Sequence, residues 1–376
     1  MGPTALSDLF FYGTLRHVPL LELVLGRGGG DLSVSNASLA EHAVYSVKDQ
    51  WFPMIVPETD AVAEGVLVQG MSDEDLKRLA YYEGGFDYDL RPQTVTTADG
   101  HSHAAQVFFP APGTRSLGDL WSLLDWVETW GELTVLAAEE VMGYFGTFDA
   151  DWIARSFPAI RWRAWARMEA KKRGQVDERV AEDDVKLLTR KRAYVDFFGF
   201  ETVQVQHRQF DGSMGPVLNR GSLMLGEAVI VLPYDPVRDT VLLVEQFRTP
   251  VYLADDPEPW MWEPVAGIID PLETPEQAAH RETLEEAHMR LDRLERAGGA
   301  YTSSGSSTEF IHLYVGLGNL LHTTDEGGVA AEGEDIRTKI FPFDAFLQMV
   351  DAGKFKDMPL LMLAHWLARQ RKRLRA

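Results

Sequence analysis

The sequence predicts a two-domain α+β protein, and three observations predict it. Its 376 residues exceed what one hydrophobic core usually serves. Short apolar runs separated by turn residues occur in both halves, which marks strands. Between them lies a tract with helical periodicity. Composition narrows the class further. At 45% hydrophobic and 25% charged residues the chain reads as ordinary globular protein. The absence of cysteine removes disulfides, thiolate metal sites and cysteine nucleophiles together. A formal net charge of −21 repels phosphate backbones and argues against nucleic acid as a partner. No apolar run approaches the roughly 20 residues of a membrane span. Met1-Gly2 opens like a myristoylation site, but Leu6 stands where Ser or Thr is required. The expected location is cytoplasmic, with no membrane partner.

Three segments follow from the patterning. In residues 8–112, Leu9–Tyr12, Glu64–Val68 and Ala105–Phe109 read as strands. Ser72–Leu79 opens with an N-cap and first-turn acids, so it reads as a helix. Residues 113–184 form a helical connector, its period carried by Trp121, Leu124, Val127, Trp162, Trp165 and Met168. Pro158 is expected to break it into two helices. The charged stretch Lys171–Asp184 is the candidate linker. In residues 185–376 strands return at Ala193–Val195, Thr202–Gln206, Ala228–Leu232 and Val241–Val244. The last two are joined through the turn Asp235–Asp239. A helix is expected over Pro275–Ala287, strands over His312–Val315 and Thr338–Phe341, and a closing helix over Pro359–Arg375. The basic tail Arg369–Arg375 reads as a cationic last turn complementing the helix dipole.

Chemistry concentrates on the Pro275–Ala287 helix. Glu282, Glu285 and Glu286 stand at i, i+3 and i+4, so their carboxylates share one face. Like charges so placed destabilise a helix unless a hard divalent cation, which prefers oxygen ligands, offsets the repulsion. A solvated acidic face is the alternative for three glutamates taken alone. Gly267, Glu273 and Arg281 precede them at fixed distances, and Met289 follows. Together these residues resemble the Nudix box, G-x5-E-x7-R-E-U-x-E-E-x-G-U. Two positions depart from it. Thr283 replaces an aliphatic residue, and His288 replaces a glycine at a helix end where positive φ is needed.

The resemblance implies hydrolysis of a nucleoside diphosphate linked to another group, with Mg²⁺ (or Mn²⁺) held by Glu282 and Glu286, the carbonyl of Ala266, and Glu285 assisting. From about Val185 to Arg375 the chain is similar to the bacterial ADP-ribose pyrophosphatase subfamily. That likeness is carried by Glu245-Gln-Phe-Arg248, Trp262-Glu-Pro-Val-Ala-Gly267, Ser303–Glu309 and Gly333-Glu-Asp-Ile336. It implies ADP-ribose, or another ADP-sugar, as substrate, with AMP and ribose 5-phosphate as products of ADP-ribose. Arg248 and Arg220 become substrate contacts, Glu332 the catalytic base, Glu334 an outer metal ligand and Glu309 a further site residue. It also implies a homodimer built through Ala193–Gln206.

The first segment carries a second resemblance. Phe11-Tyr-Gly-Thr-Leu-Arg16, then Leu76–Gly84, then Tyr88-x-x-Arg91 resemble the γ-glutamylcyclotransferase-like family. That implies a mixed β-barrel followed by a Nudix α/β/α sandwich with mixed sheet. Tyr12, Gly13, Thr14 and Leu15 would hold substrate and Glu83 would move a proton. Fold alone does not give function, so a binding module is the competing reading. Chains joining these domains in this order resemble proteins named for tellurite resistance. Alternatives to the hydrolase are a γ-glutamylcyclotransferase with a regulatory Nudix half, and an ADP-ribose sensor of slow turnover.

Overall fold

Alternation of apolar residues closes the first sheet on itself. The computed structural model describes residues 7–28, 32–84, 88–111, 116–174, 179–322, 326–328 and 335–376. They fall into two units, Met1–Arg220 and Gly221–Ala376. In the first, β1 (Ser7–Phe11), β2 (Ser33–Val47), β3 (Pro53–Met71), β4 (Tyr88–Thr97), β5 (Ser102–Pro110) and β6 (Leu117–Leu120) pair in the order β3-β1-β5-β4-β2-β6. β2 also pairs with β3, so five strands form a closed barrel with β6 on its rim. β1 runs parallel to β5, which makes the sheet mixed. Phe10, Leu39, Ile55, Leu67 and Val107 share one buried cluster. Leu9 and Phe11, on the opposite face of β1, join another.

That second cluster is where the helices pack. α1 (Val18–Leu25) and α2 (Asp73–Glu83) come from the barrel segment. Ser72 and Asp75 form a capping box that starts α2. α3 (Leu123–Trp126) continues through a π-turn, Val127–Gly131, into α4 (Glu132–Met142), and α5 (Ala150–Lys172) follows. Their buried residues Trp126, Leu133, Ile153, Ile160 and Trp165 lie in one core with Leu9, Leu20 and Leu79. Two expectations are corrected. Residues 117–120 are a strand paired to Tyr45 and Val47, not the start of a helix. Pro158 does not break α5 but sits inside it. Burial of Ile153 on one side of Pro158 and of Ile160, Ala164 and Trp165 on the other outweighs one lost backbone bond, a cost of about 3 kcal/mol.

After α6 (Ala181–Asp184), β7 (Val185–Val195), β8 (Gly199–His207) and β9 (Leu218–Met224) form a three-stranded sheet. The β7–β8 turn is held from the helices. Tyr144 Oη donates to the carbonyl of Tyr194 at 3.2 Å, Trp152 Nε1 to Val195 at 2.6 Å, and Arg163 to Phe197 at 3.1 Å. Arg163 also forks onto buried Glu140, at 2.9 and 2.7 Å. Glu139 takes Arg167, Arg190 and Arg192, and Arg190 forks onto Glu201.

In the second unit β10 (Ala228–Asp235), β11 (Thr240–Phe247), β12 (Trp260–Glu263), β13 (Val265–Ile268), β14 (Arg293–Tyr301), β15 (Phe310–Leu317), β16 (Glu326–Gly327) and β17 (Ile336–Pro342) form one mixed sheet. α7 (Thr249–Leu253) links β11 to β12, and α8 (Pro275–Ala287) links β13 to β14. α9 (Phe343–Asp351) and α10 (Met358–Leu374) close the chain. Ala278, Ala279 and Ala287 of α8 pack with Val229, Val231, Leu242 and Val244. Ile230, Leu232, Val241 and Leu243 pack with Phe346, Leu360, Leu363 and Leu367. Alternate residues of β10 and β11 thus serve opposite layers, which makes an α/β/α sandwich. The basic tail is occupied by acids: Arg371 pairs with Asp239 and Asp344, Arg373 with Glu295, and Arg375 with Asp239. Among the described residues no helix is long and apolar enough to cross a membrane.

Candidate functional site

The acidic face of α8 is set up at both ends of the helix. Thr274 and Gln277 form a capping box and Pro275 stands in the first turn, which fixes where α8 begins. It ends at His288, whose φ of +48° is left-handed as the position demands. Thr283 is fully buried, and its hydroxyl donates to the Ala279 carbonyl at 2.7 Å, so the polar group at an aliphatic position is satisfied.

Arg281 organises the carboxylates. Its guanidinium forks onto Glu273 at 3.0 and 2.9 Å and donates to Glu282 at 2.5 Å, to Glu285 at 3.2 Å and to the Ile268 carbonyl at 2.9 Å. The Glu273 bonds raise its pKa first, burial works against them, and Glu282 adds to the rise. Glu286 is buried and accepts from the Ala266 amide at 3.2 Å. A Cβ on Gly267 would lie 1.9 Å from the Glu282 carboxyl, so only glycine lets that group lie over β13. Among the described residues no three acidic or histidine side chains are closed around a metal position. Arg281 stands between Glu282 and Glu285 instead. The donor set is nevertheless all oxygen, on one helix face and one strand edge, which fits a hard cation such as Mg²⁺.

Arg248, at the end of β11, is locked by Glu263. Nε lies 3.1 and 2.9 Å from the two carboxylate oxygens and the NH2 group 2.6 Å from one of them. Burial alone would lower its pKa, but Glu263, with the charges of Glu286 and Asp357, raises it. Burial pushes Asp357, the N-cap of α10, up to about 6. Glu263 and Asp357 were not among the sequence candidates. Glu263 lies inside the quoted Trp262–Gly267 segment, the one signal that pointed to it. Gly328 donates to the Glu285 carbonyl at 3.1 Å, and a Cβ on Gly327 would lie 1.7 Å from the Glu286 carbonyl. The chain is therefore pinned to the end of α8 just before residues 329–334. Glu332 and Glu334 themselves lie outside the described residues. Glu309 sits before β15, its amide bonded to Ser307 and its carbonyl to Thr302. Arg220 is exposed at the end of the first unit and donates to the Asn219 carbonyl.

The first unit holds a separate pocket. Tyr12, Gly13, Thr14 and Leu15, which turn from β1 into a short 3-10 helix, line it together with Glu83 from the last position of α2. A Cβ on Gly13 would meet Pro53 Cγ at 3.0 Å, a tight contact that the proline ring would have to relieve by shifting.

Residues 9–128 match the family described as gamma-glutamyl cyclotransferase, AIG2-like, and residues 224–361 match the NUDIX domain. The ADP-ribose pyrophosphatase of Escherichia coli (strain K12) is 33% identical over 186 residues, 50% of this chain and 88% of that protein. The ADP-ribose pyrophosphatase of Haemophilus influenzae is 32% identical over 191 residues, 50% of this chain and 87% of that protein. The GDP-mannose pyrophosphatase of Yersinia enterocolitica is 33% identical over 142 residues, 38% of this chain and 73% of that protein. With seven box residues in register before, on and just after α8 and relatives matched over most of their length, the chain belongs, through its C-terminal half, to the Nudix hydrolases.

Proposed function

We propose that the second unit hydrolyses the pyrophosphate of ADP-ribose, or of a related ADP-sugar, giving AMP and ribose 5-phosphate from ADP-ribose. The observation that carries the reading is the carboxylate face of α8 laid over Gly267 and held by Arg281. Relatives named ADP-ribose pyrophosphatase favour that substrate over GDP-mannose, whose named hydrolase matches a shorter stretch. Glu282, Glu286 and the Ala266 carbonyl would hold Mg²⁺ or Mn²⁺, with Glu285 assisting and Glu334 outermost. A bound divalent ion supplies charge neutralisation at the pyrophosphate and an acidified water. Arg248 binds a phosphate or stacks on the base, which requires the Glu263 fork to yield at least one donor. Glu332 accepts the proton of the attacking water. Its place on the chain, a few residues after the Gly327–Gly328 contact with α8, supports this role.

Glu286→Gln tests the reading. With Mg²⁺, the wild type should release AMP from ADP-ribose and stop on chelation. The variant should fold and lose activity by at least about a hundredfold, because an amide is a poor ligand for a hard cation. Full activity in the variant would remove the metal assignment.

A homodimer through Ala193–Gln206 is part of the same proposal, and the exposed Phe198 and Phe200 within that segment support it. Light scattering that finds a fully active monomer at micromolar concentration would refute it. The named link to tellurite resistance rests on domain order and adds no chemistry to either site.

A further inference from the structure

Two side chains of β15 tie down a loop to which they do not belong. His312 and Tyr314 stand two residues apart on the strand, so they share the sheet face that α8 covers. His312 Nε2 donates to the buried carboxylate of Glu227 at 2.7 Å, and the Glu227 carbonyl accepts from the Ile269 amide at 3.0 Å. Tyr314, also buried, donates to Glu276 in the first turn of α8 at 2.7 Å. Burial first, then that bond, raises the Tyr314 pKa, so the phenol stays a donor at neutral pH. The two ties bracket residues 269–276, which lead from β13 into α8.

What lies between the ties needs holding. Leu272 has a φ of +70°, a left-handed conformation that an L-residue keeps only where its surroundings over-determine it. The next residue, Glu273, accepts from the Asp270 amide at 3.2 Å and takes Nε and Nη2 of Arg281. Nη2 also reaches the Ile268 carbonyl. The third nitrogen, Nη1, faces Glu282 and Glu285. The guanidinium is thus divided between an anchor on the loop and the carboxylates assigned to the cation. A slack anchor would let Arg281 close its fork on Glu282 and compete for the oxygens that a divalent ion needs.

We propose that His312 and Tyr314 are positioning residues for the metal site. They act through Glu227, Glu276 and residues 269–276 to keep Arg281 on Glu273 and off the metal carboxylates. This inference rests on the metal assignment made above and extends it to β15, a strand outside the box.

Titrating the full chain with Mn²⁺ in the absence of substrate, with free ion read by electron paramagnetic resonance, tests it. His312→Leu and Tyr314→Phe should each weaken Mn²⁺ binding at least about fivefold. Outer partners of metal ligands commonly carry about tenfold or more, and these residues lie one step further out. His312→Gln, whose amide nitrogen keeps a donor near the place of Nε2, should bind within about twofold of wild type. AMP release from ADP-ribose at saturating Mn²⁺ should recover in every variant, so that the loss falls on metal affinity and not on kcat. Unchanged affinity in both His312→Leu and Tyr314→Phe, against a wild type that binds, would overturn the inference and leave the metal assignment standing. An equal loss in His312→Gln and His312→Leu would overturn the role given to the His312–Glu227 bond. Tyr314→Phe removes one hydroxyl and keeps the packing, so it decides the matter should His312→Leu unfold. A wild type that binds no Mn²⁺ would remove the metal assignment and the inference with it. A wild type that binds Mn²⁺ without releasing AMP would remove only the substrate reading, and the order of affinities would still decide the role of β15.

Discussion

Replacing His288 by glycine should stabilise the second unit without changing its chemistry. His288 ends α8 at φ +48° and ψ +32°, and its side chain is exposed. A left-handed conformation costs an L-residue about 1–2 kcal/mol. Glycine avoids that cost but returns roughly 0.5–1 kcal/mol through its freer unfolded chain. The net gain is then about 0.5–1 kcal/mol, which in a unit of this size raises Tm by about 1–4 °C. The assay is calorimetry of wild type and His288→Gly at matched pH, with ADP-ribose turnover measured on the same samples. No ligating carboxylate moves in this argument, so kcat should stay within a factor of about two. A fall in Tm would refute the conformational accounting. A large rise in kcat would show that histidine distorts the helix end, which is the premise of the slow-sensor alternative.

Other outcomes follow from single contacts. Gly267→Ala should lower turnover by about a hundredfold or more while the unit still folds, because the methyl would displace the Glu282 carboxyl, and activity with circular dichroism checks this. Asp357→Asn should stabilise the chain at neutral pH. A carboxyl raised to about 6 favours folding fully below its unfolded value near 4 and loses that contribution as pH rises through about 6. Asn keeps the N-cap, so the gain at pH 7 should be up to about 3 kcal/mol and vanish below about pH 4 in a denaturation series. Arg163→Met should cost the first unit about 3–5 kcal/mol in urea unfolding, since it leaves Glu140 buried beside an apolar chain.

Local chemistry was legible in the sequence and tertiary partnership was not. The α8 carboxylates, the helix limits Pro275–Ala287 and the left-handed end at His288 follow from spacing within one helix turn or two, and all three stand in the structure. The Glu263 fork on Arg248 joins residues 15 apart across paired strands β11 and β12, and needs their register to be seen. Asp357 enters through the electrostatics of a residue more than a hundred positions earlier. Pro158 illustrates the opposite error. Its local penalty is real, but the burial that outweighs it comes from a core shared with distant strands. The β7–β8 hairpin reads from the sequence as strands. Its attachment to α4 and α5 rests on ion pairs such as Glu139–Arg192, which leave no periodic trace.

The three carbonyl grips on the β7–β8 turn divide the burden of inheritance unequally. Every residue carries a carbonyl, so Tyr194 and Phe197, which are about half exposed, can change identity and still accept their bonds. The donors have no such latitude. A phenol, an indole and a guanidinium differ in reach and direction, and losing any one removes a tie that no other side chain replaces in the same place. A saturation library should therefore be permissive at 194 and 197 and intolerant at Tyr144, Trp152 and Arg163. The turn would drift in sequence while its shape, held from outside, stayed fixed.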